Sequence, residues 1–443
     1  MPTGRRLVTL LVALSLVAFP AVALRVFCLG KSCDSGDATA SASIPFCPLP
    51  ARVRALIGAG FRQGRSPDVL AVTDIASAVR TSVGERTRVP WPSSVASADT
   101  RVPIAFFGQG FTGASPPNGT GLDQIAPTVA QAIGYRRTHP EVRAGTPAPG
   151  IAGPTGAPHA WQPFVVEIAW KGVGTSDLES EPHAWPFLKS LMRDGGGTLD
   201  GTTGSLPLDP AATLTTIGTG GLPSQHGIIG SIVRGDDGQV ARAWSPAASG
   251  SVIASLADDI DRSEDQRARI GAIIDERTDR GIVGDGWYVD RRDRDDLIVT
   301  DRPITAVDRL LDDGYGTDGN VGVIGVVVRD SVGQMDRMTG SIVRAVRARV
   351  PTATFIVTAT GSLAGSHGDD AARVTNQVES ALGAPVVEAT GVGGLFLDRG
   401  LSTKSLVTAD DLATEVKGLR DERGTPVFAD AFPSFAVAFA RYC

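Results

Sequence analysis

Cysteine is almost absent from this sequence. Cys28, Cys33, Cys47 and Cys443 are its four copies, and the long interval between the last two has none. That excludes a cysteine-built zinc module in the body of the fold. Histidine is scarce as well. His139, His159, His183, His226 and His367 form no HxH or HxxxH pair, so no local pair of imidazoles is offered to a metal. There is no long basic run and the net charge is −6, which argues against nucleic acid as the main partner.

What is present points to a packed globular chain. Hydrophobic residues make up 42% and charged residues 20% of the 443, unlike a disordered polymer. That length suits one large α/β domain or two or three smaller ones. Gly (53) and Pro (29) are abundant, so many turns and at least one linker are expected.

Arg5-Arg6 precede an apolar run from Leu7 to Leu24, and Ala21-Val22-Ala23 fits the small-x-small pattern of signal peptidase. Residues 1–24 therefore read as a signal peptide cleaved after Ala23 or as a retained membrane anchor, since eighteen residues just span a bilayer. Either way the rest lies outside the cytoplasm, secreted or held by its N-terminus. An even cysteine count there favours disulfides. Residues 25–46, rich in Ser, Ala, Gly and Asp, read as a flexible leader.

Further along, residues 51–61 predict a helix, and 66–72 and 102–108 predict apolar strands. Asp123 reads as the cap of a helix carrying Pro127 near its start. Residues 144–163 form a Pro/Gly/Ala linker, with a reach of at most roughly 65 Å when stretched. A strand over 163–170 and a helix over 183–194 follow. The Val-rich run 321–329 predicts a strand buried on both faces of a parallel sheet, and 354–360 the next buried strand. The first delivers Asp330 to a C-terminal strand end, where open α/β sheets bind ligands. A helix over 409–420 capped by Thr408, and a last strand over 434–442, close the chain.

Leu206 to Ser231, LPLDPAATLTTIGTGGLPSQHGIIGS, is the stretch with the most specific pattern. It reads as a loop, a short helix, a Thr-Gly turn and a second turn closed by His226-Gly227. Thr219-Gly220, Pro223 and His226-Gly227-Ile228 resemble the signature of the type I phosphodiesterase/nucleotide pyrophosphatase branch of the alkaline phosphatase superfamily. VPIAFFGQG (102–110) and LDQIAPTVAQAIG (122–134) resemble the closing portion of the same domain, and GRSPDVLAV before them is similar to its "rSGD" strand.

This resemblance implies an α/β three-layer sandwich with a mainly parallel central sheet, covering about Cys47 to Cys443. Its parts come in the wrong order. Segment 47–143 matches the family's ending and segment 164–443 its beginning, which implies a circular permutation with the 144–163 linker joining the ancestral ends. The duller reading is two unrelated domains. On the permuted reading Cys47 and Cys443 flank the new ends and are expected to form a disulfide, with Cys28–Cys33 as a second.

The same resemblance implies a zinc pair held by Asp and His at the strand ends. Position by position, this sequence departs from it. The metal-binding Asp-Gly is replaced by Lys171-Gly172. The Thr or Ser nucleophile, sixteen residues before the His of HGI, is Pro210. Ser231 stands for the Asn that holds a phosphate oxygen. "DxxGH" becomes Asp330-Ser331-Val332-Gly333-Gln334, and "SDHG" becomes Thr358-Ala359-Thr360-Gly361. Residues 88–98 contain no His for the final ligand. His226 matches the family but is structural there.

No catalytic residue and no metal are therefore expected. Lys171, Asp330, Gln334, Ser231 and Thr360 are expected to line a crevice, with a Lys171–Asp330 pair replacing a metal bridge. The reading that follows is an extracytoplasmic pseudoenzyme that binds an envelope protein or a small phosphorylated ligand. The alternative is a metal-dependent phosphodiesterase or phosphatase with a rebuilt site, using Thr213 as nucleophile and Asp330 and His367 as ligands for zinc or another divalent metal. The acidic and basic mixture at 285–297 reads as a solvated loop.

Overall fold

The first helix among the described residues, α1 (Ala51–Gly60), starts after Pro50 and has no capping side chain. Strands β1 (Val69–Val72), β2 (Ser77–Arg80), β3 (Arg88–Trp91) and β4 (Arg101–Gly108) follow. A 3-10 turn at Leu122–Gln124 leads into α2 (Ile125–Ala132). The structure is a computed structural model. It describes residues 44–443 except 74–76, 81–87, 92–98, 138, 154–162, 247, 249, 285–286, 289–294, 364–367, 392 and 421–422. The predicted signal or anchor, the leader up to residue 43, Cys28, Cys33 and His367 lie outside the described residues, as does most of the linker.

The second half alternates strand and helix: β5 (Phe164–Trp170), α3 (Thr175–Ser180), α4 (Pro186–Gly195), β6 (Gly197–Thr202), α5 (Pro210–Thr219) and α6 (Pro223–His226). A hairpin of β7 (Ile232–Arg234) and β8 (Val240–Arg242) precedes α7 (Leu256–Ser263), β9 (Arg269–Ile274), a 3-10 segment at Arg277–Ile282, β10 (Asp296–Val299) and α8 (Pro303–Asp312). Then come β11 (Gly322–Val328), α9 (Val332–Arg349), β12 (Thr354–Ala359), β13 (Gly368–Asp370) and α10 (Ala371–Leu382). The last elements are β14 (Val387–Gly391), β15 (Gly394–Leu397), α11 (Arg399–Ser405), α12 (Ala409–Gly418), β16 (Asp430–Pro433) and a 3-10 helix, Ser434–Tyr442.

The central sheet has the order β10-β9-β11-β5-β12-β4-β6. Pairing is parallel from β10 through β12, and β4 runs antiparallel between β12 and β6. β11 and β5 are buried along their whole length, as Val-rich runs in parallel sheets should be. Helices cover both faces. A Cβ on Gly271 would meet Leu310 of α8, and one on Gly325 would meet Ile282 and Val283. Gly271 is the register partner of Ile324, and residues 324 and 325 face opposite ways along a strand. The α8 layer and the 277–282 layer therefore lie on opposite faces. This is the α/β three-layer sandwich with a mainly parallel sheet. β4, from the first segment of the chain, sits between β12 and β6 of the second, so the two segments share one sheet.

A second sheet, β14-β15-β1-β16, is antiparallel and was not anticipated from the sequence. β1 shows how it is held. Val69 and Ala71 join a core with Val378, Leu412 and Val416 from α10 and α12. Leu70 and Val72 face the other way, onto Phe46, Val53 and Phe432. A period-two strand thus carries two cores, one on each face.

Two local expectations need correction. Residues 434–442 form a 3-10 helix rather than a strand, with Phe435 and Phe439 exposed. Asp123 sits inside a 3-10 turn and does not cap α2. The 3-10 turn itself is closed by Gln124, whose Oε1 accepts from the Gly121 N–H at 3.0 Å. Thr408, in contrast, caps α12 as expected, accepting from Asp411 N. Cys47 and Cys443 are bonded, with Cα atoms 5.1 Å apart.

Candidate functional site

The site is built where β5, β9, β11 and β12 end, next to the start of α5. α5 begins at Pro210 because that is a favourable place for proline. The first helical position has no intrahelical use for an N–H, and the ring presets φ. Asp209 is the cap, and its Oδ1 accepts from Ala211 N at 2.8 Å. Its Oδ2 accepts from Ser231 N at 2.7 Å and Ser231 Oγ at 2.9 Å. The chain's own carboxylate thus occupies the positive end of α5, where an external anion would otherwise bind. Burial pushes the Asp209 carboxyl up, opposed by these donors and by Lys171.

Lys171 follows β5 and is buried. Its Nζ lies 2.9 Å from Asp279 Oδ2, 3.3 Å from Glu276 Oε1 and 3.6 Å from Asp275 Oδ2. These acids come directly after β9. Arg329, after β11, adds a second cation 3.3 Å from Asp275. Burial pulls Lys171 down, but Asp279, Glu276 and Asp275 outweigh it and hold the ammonium above its ordinary value. Burial pushes Asp279 up to about 6 in spite of Lys171. The other oxygen of Asp279, Oδ1, is buried without a hydrogen-bond partner.

The expected Lys171–Asp330 pair does not form. Asp330 is exposed, and its Oδ1 accepts from the adjacent Ser331 N. The strand carries the acid past the crevice mouth, while β9 delivers three acids into it. Gln334 is turned along α9, accepting from Arg337 at 2.6 Å. Thr360 does belong to the crevice. Its Oγ1 accepts from Gly172 N at 2.8 Å. Thr213 Oγ1 donates to Asp209 O at 2.7 Å and lies 3.4 Å from Thr360 O. Lys171, Thr360, Thr213, Asp209 and Ser231 are therefore brought together, and Asp330 and Gln334 are not among them.

Asp275, Glu276 and Asp279 are not among the residues that the sequence motifs single out. The available signal was their place immediately beyond a buried strand. A zinc pair needs several anionic oxygens and imidazoles converging on two points. Here the converging acids surround an ammonium, which repels a dication, and among the described residues no group of three His, Cys, Asp or Glu is arranged to hold a metal. The residues present do not fit the pair.

His226 is fully buried and orders the turn after α5. Its Nδ1 accepts from Ile228 N at 3.1 Å, so the ring proton belongs on Nε2, 3.1 Å from Thr216 Oγ1. Burial, with Arg62 and Arg65 nearby, pulls the imidazole down to about 3.

No family model matches the chain, and no curated protein does. Among solved structures it is similar to the crystal structure of wild-type alkaline phosphatase PafA, at 12% identity and a TM-score of 0.41, over 58% of this chain and 76% of that one.

Proposed function

We propose that the protein is an extracytoplasmic pseudoenzyme of alkaline-phosphatase-like ancestry, one that binds an envelope partner or a small phosphorylated ligand and does not hydrolyse esters. The observation that carries this reading is the Lys171 ammonium, 2.9 Å from Asp279 in the strand-end crevice. It supplies from within the chain the positive charge that a catalytic metal would bring. Asp209 and Ser231 use each other's hydrogen-bonding capacity at the helix end in the same way. The order of segments is proposed to be a circular permutation. Its support is the motif order, the shared sheet and the bridge between Cys47 and Cys443. That bridge fits an oxidising compartment outside the cytoplasm.

The test is metal content by mass spectrometry on the purified ectodomain, alongside chromogenic phosphate mono- and diesters with and without added zinc. The expected result is no stoichiometric metal and no turnover above the buffer blank. About two metals per chain with EDTA-sensitive turnover, as a two-metal hydrolase requires, would overturn the proposal.

A further inference from the structure

Away from the crevice, four arginines surround an open hollow of about 410 Å³. It is lined by Arg62, Arg65, Arg234 and Arg399, with Asp236 as the acid among its lining residues. In a chain of net charge −6 such a concentration of one sign is a local feature. We infer that this hollow is a binding site for a small molecule carrying a phosphate-type oxyanion.

Arg62 and Arg65 are held mainly by carbonyls, which leaves their charge to spare. Arg62 Nη1 donates to Ser224 O at 2.9 Å and Gln225 O at 3.0 Å. Arg65, 6% exposed, donates through Nη1 to Gly250 O at 2.9 Å. Carbonyls fix a guanidinium in place without cancelling its charge. The acid facing Arg65, Asp236, is 3.5 Å away and its side chain is 77% exposed, so water screens that pair. Arg234 forms the floor. Its side chain is 2% exposed and pinned by Asp68 and Glu388 at 2.7 and 3.1 Å, and its buried Nε has no hydrogen-bond partner. Arg399 is exposed and approaches the rim, with Nη1 3.8 Å from where a Cβ on Gly238 would stand.

Size and chemistry agree on the ligand class. Guanidinium forks match phosphate geometry in a bidentate manner. The hollow falls within the range of small-molecule pockets, roughly 300–1,000 Å³. Glycine at 64, 235 and 238 leaves part of its wall without side chains, and a Cβ on Gly64 would meet nothing within 4 Å. The site uses none of the crevice residues, so its test is separate from the test of hydrolysis.

Calorimetric titration of the whole ectodomain at low salt, with inorganic pyrophosphate and with a hexose bisphosphate, tests the assignment. Saturable binding that weakens as sodium chloride rises is expected. Tighter binding of the hexose bisphosphate assigns the hollow to an organic phosphate, and the reverse order to inorganic phosphate. Arg399→Ala, at an exposed position, is expected to weaken binding at least about tenfold, and Arg62→Ala with Arg399→Ala to abolish it. Arg193→Ala, exposed elsewhere beside Asp194, should leave affinity unchanged. Absence of binding at millimolar probe, or equal affinity in a folded Arg399→Ala variant and the wild type, would overturn the inference.

Discussion

Lys171→Ala is expected to destabilise the folded domain by about 3–5 kcal/mol, the usual effect of removing one partner from a buried ion pair. Asp279 is 1% exposed at its side chain, and Asp275 and Glu276 are mostly covered. Without the ammonium, three carboxylates face one another, with Arg329 beside Asp275 and Glu276. The effect should survive high salt, because the lost contact is buried. Asp330→Ala is the control. It removes an exposed acid that does not reach Lys171, and should stay within about 0.5 kcal/mol of wild type. Adding Asp279→Asn to Lys171→Ala should recover part of the loss, since the uncompensated charge goes with it. Denaturant unfolding of the four proteins measures this. An unchanged melting temperature for Lys171→Ala would remove the cluster's structural role.

Glu167→Gln should flatten the stability profile above pH 5. Glu167 lies in the middle of β5 and is 3% exposed. Its register partner is Gly325, so it faces the 277–282 layer. Burial, partly opposed by Arg137, pushes its carboxyl up to about 8 from an ordinary 4.5. The folded state therefore keeps a proton that the unfolded chain has released between those values. Unfolding free energy falls across that window, by on the order of 4–5 kcal/mol. Glutamine resembles the protonated form and carries no charge to expel. The variant and the wild type should have similar stability near pH 4.5, with the variant ahead by several kcal/mol at pH 9. Urea unfolding at both pH values decides it, and a difference independent of pH would refute the assignment. His226 works in the opposite direction. Its folded value, about 3, lies below the ordinary 6.5, so its contribution is lost as pH falls through that interval. Between pH 4.5 and 6.5 the contributions of the two buried groups therefore oppose each other.

The main sheet was legible because β5, β11 and β12 are short, continuous apolar runs ended by turns, of a length that suits buried strands better than helices. The α5–α6 stretch was legible from Gly220 and Gly227, whose backbone roles are local. Residues 434–442 were not. FAVAFA is apolar enough for a strand, but Phe435 and Phe439 face solvent, and short apolar runs do not settle their own period. The second sheet escaped because β1 and β16 come from opposite ends of the chain. The partners of Lys171 escaped for a similar reason. They lie about a hundred residues further on, and only the parallel path from β5 through β11 to β9 brings them to the same sheet end. The arginine hollow draws on three separate stretches, around 62, 234 and 399, which share no spacing.

The bond between Cys47 and Cys443, 396 residues apart, turns the folded chain into a covalent ring. A protease that nicks one exposed loop opens this ring instead of halving the molecule. The fragments remain a single species of unchanged mass, apart from one added water, until a reductant is present. In a compartment with proteases and no thiol buffer, a molecule of this kind tolerates its first cut.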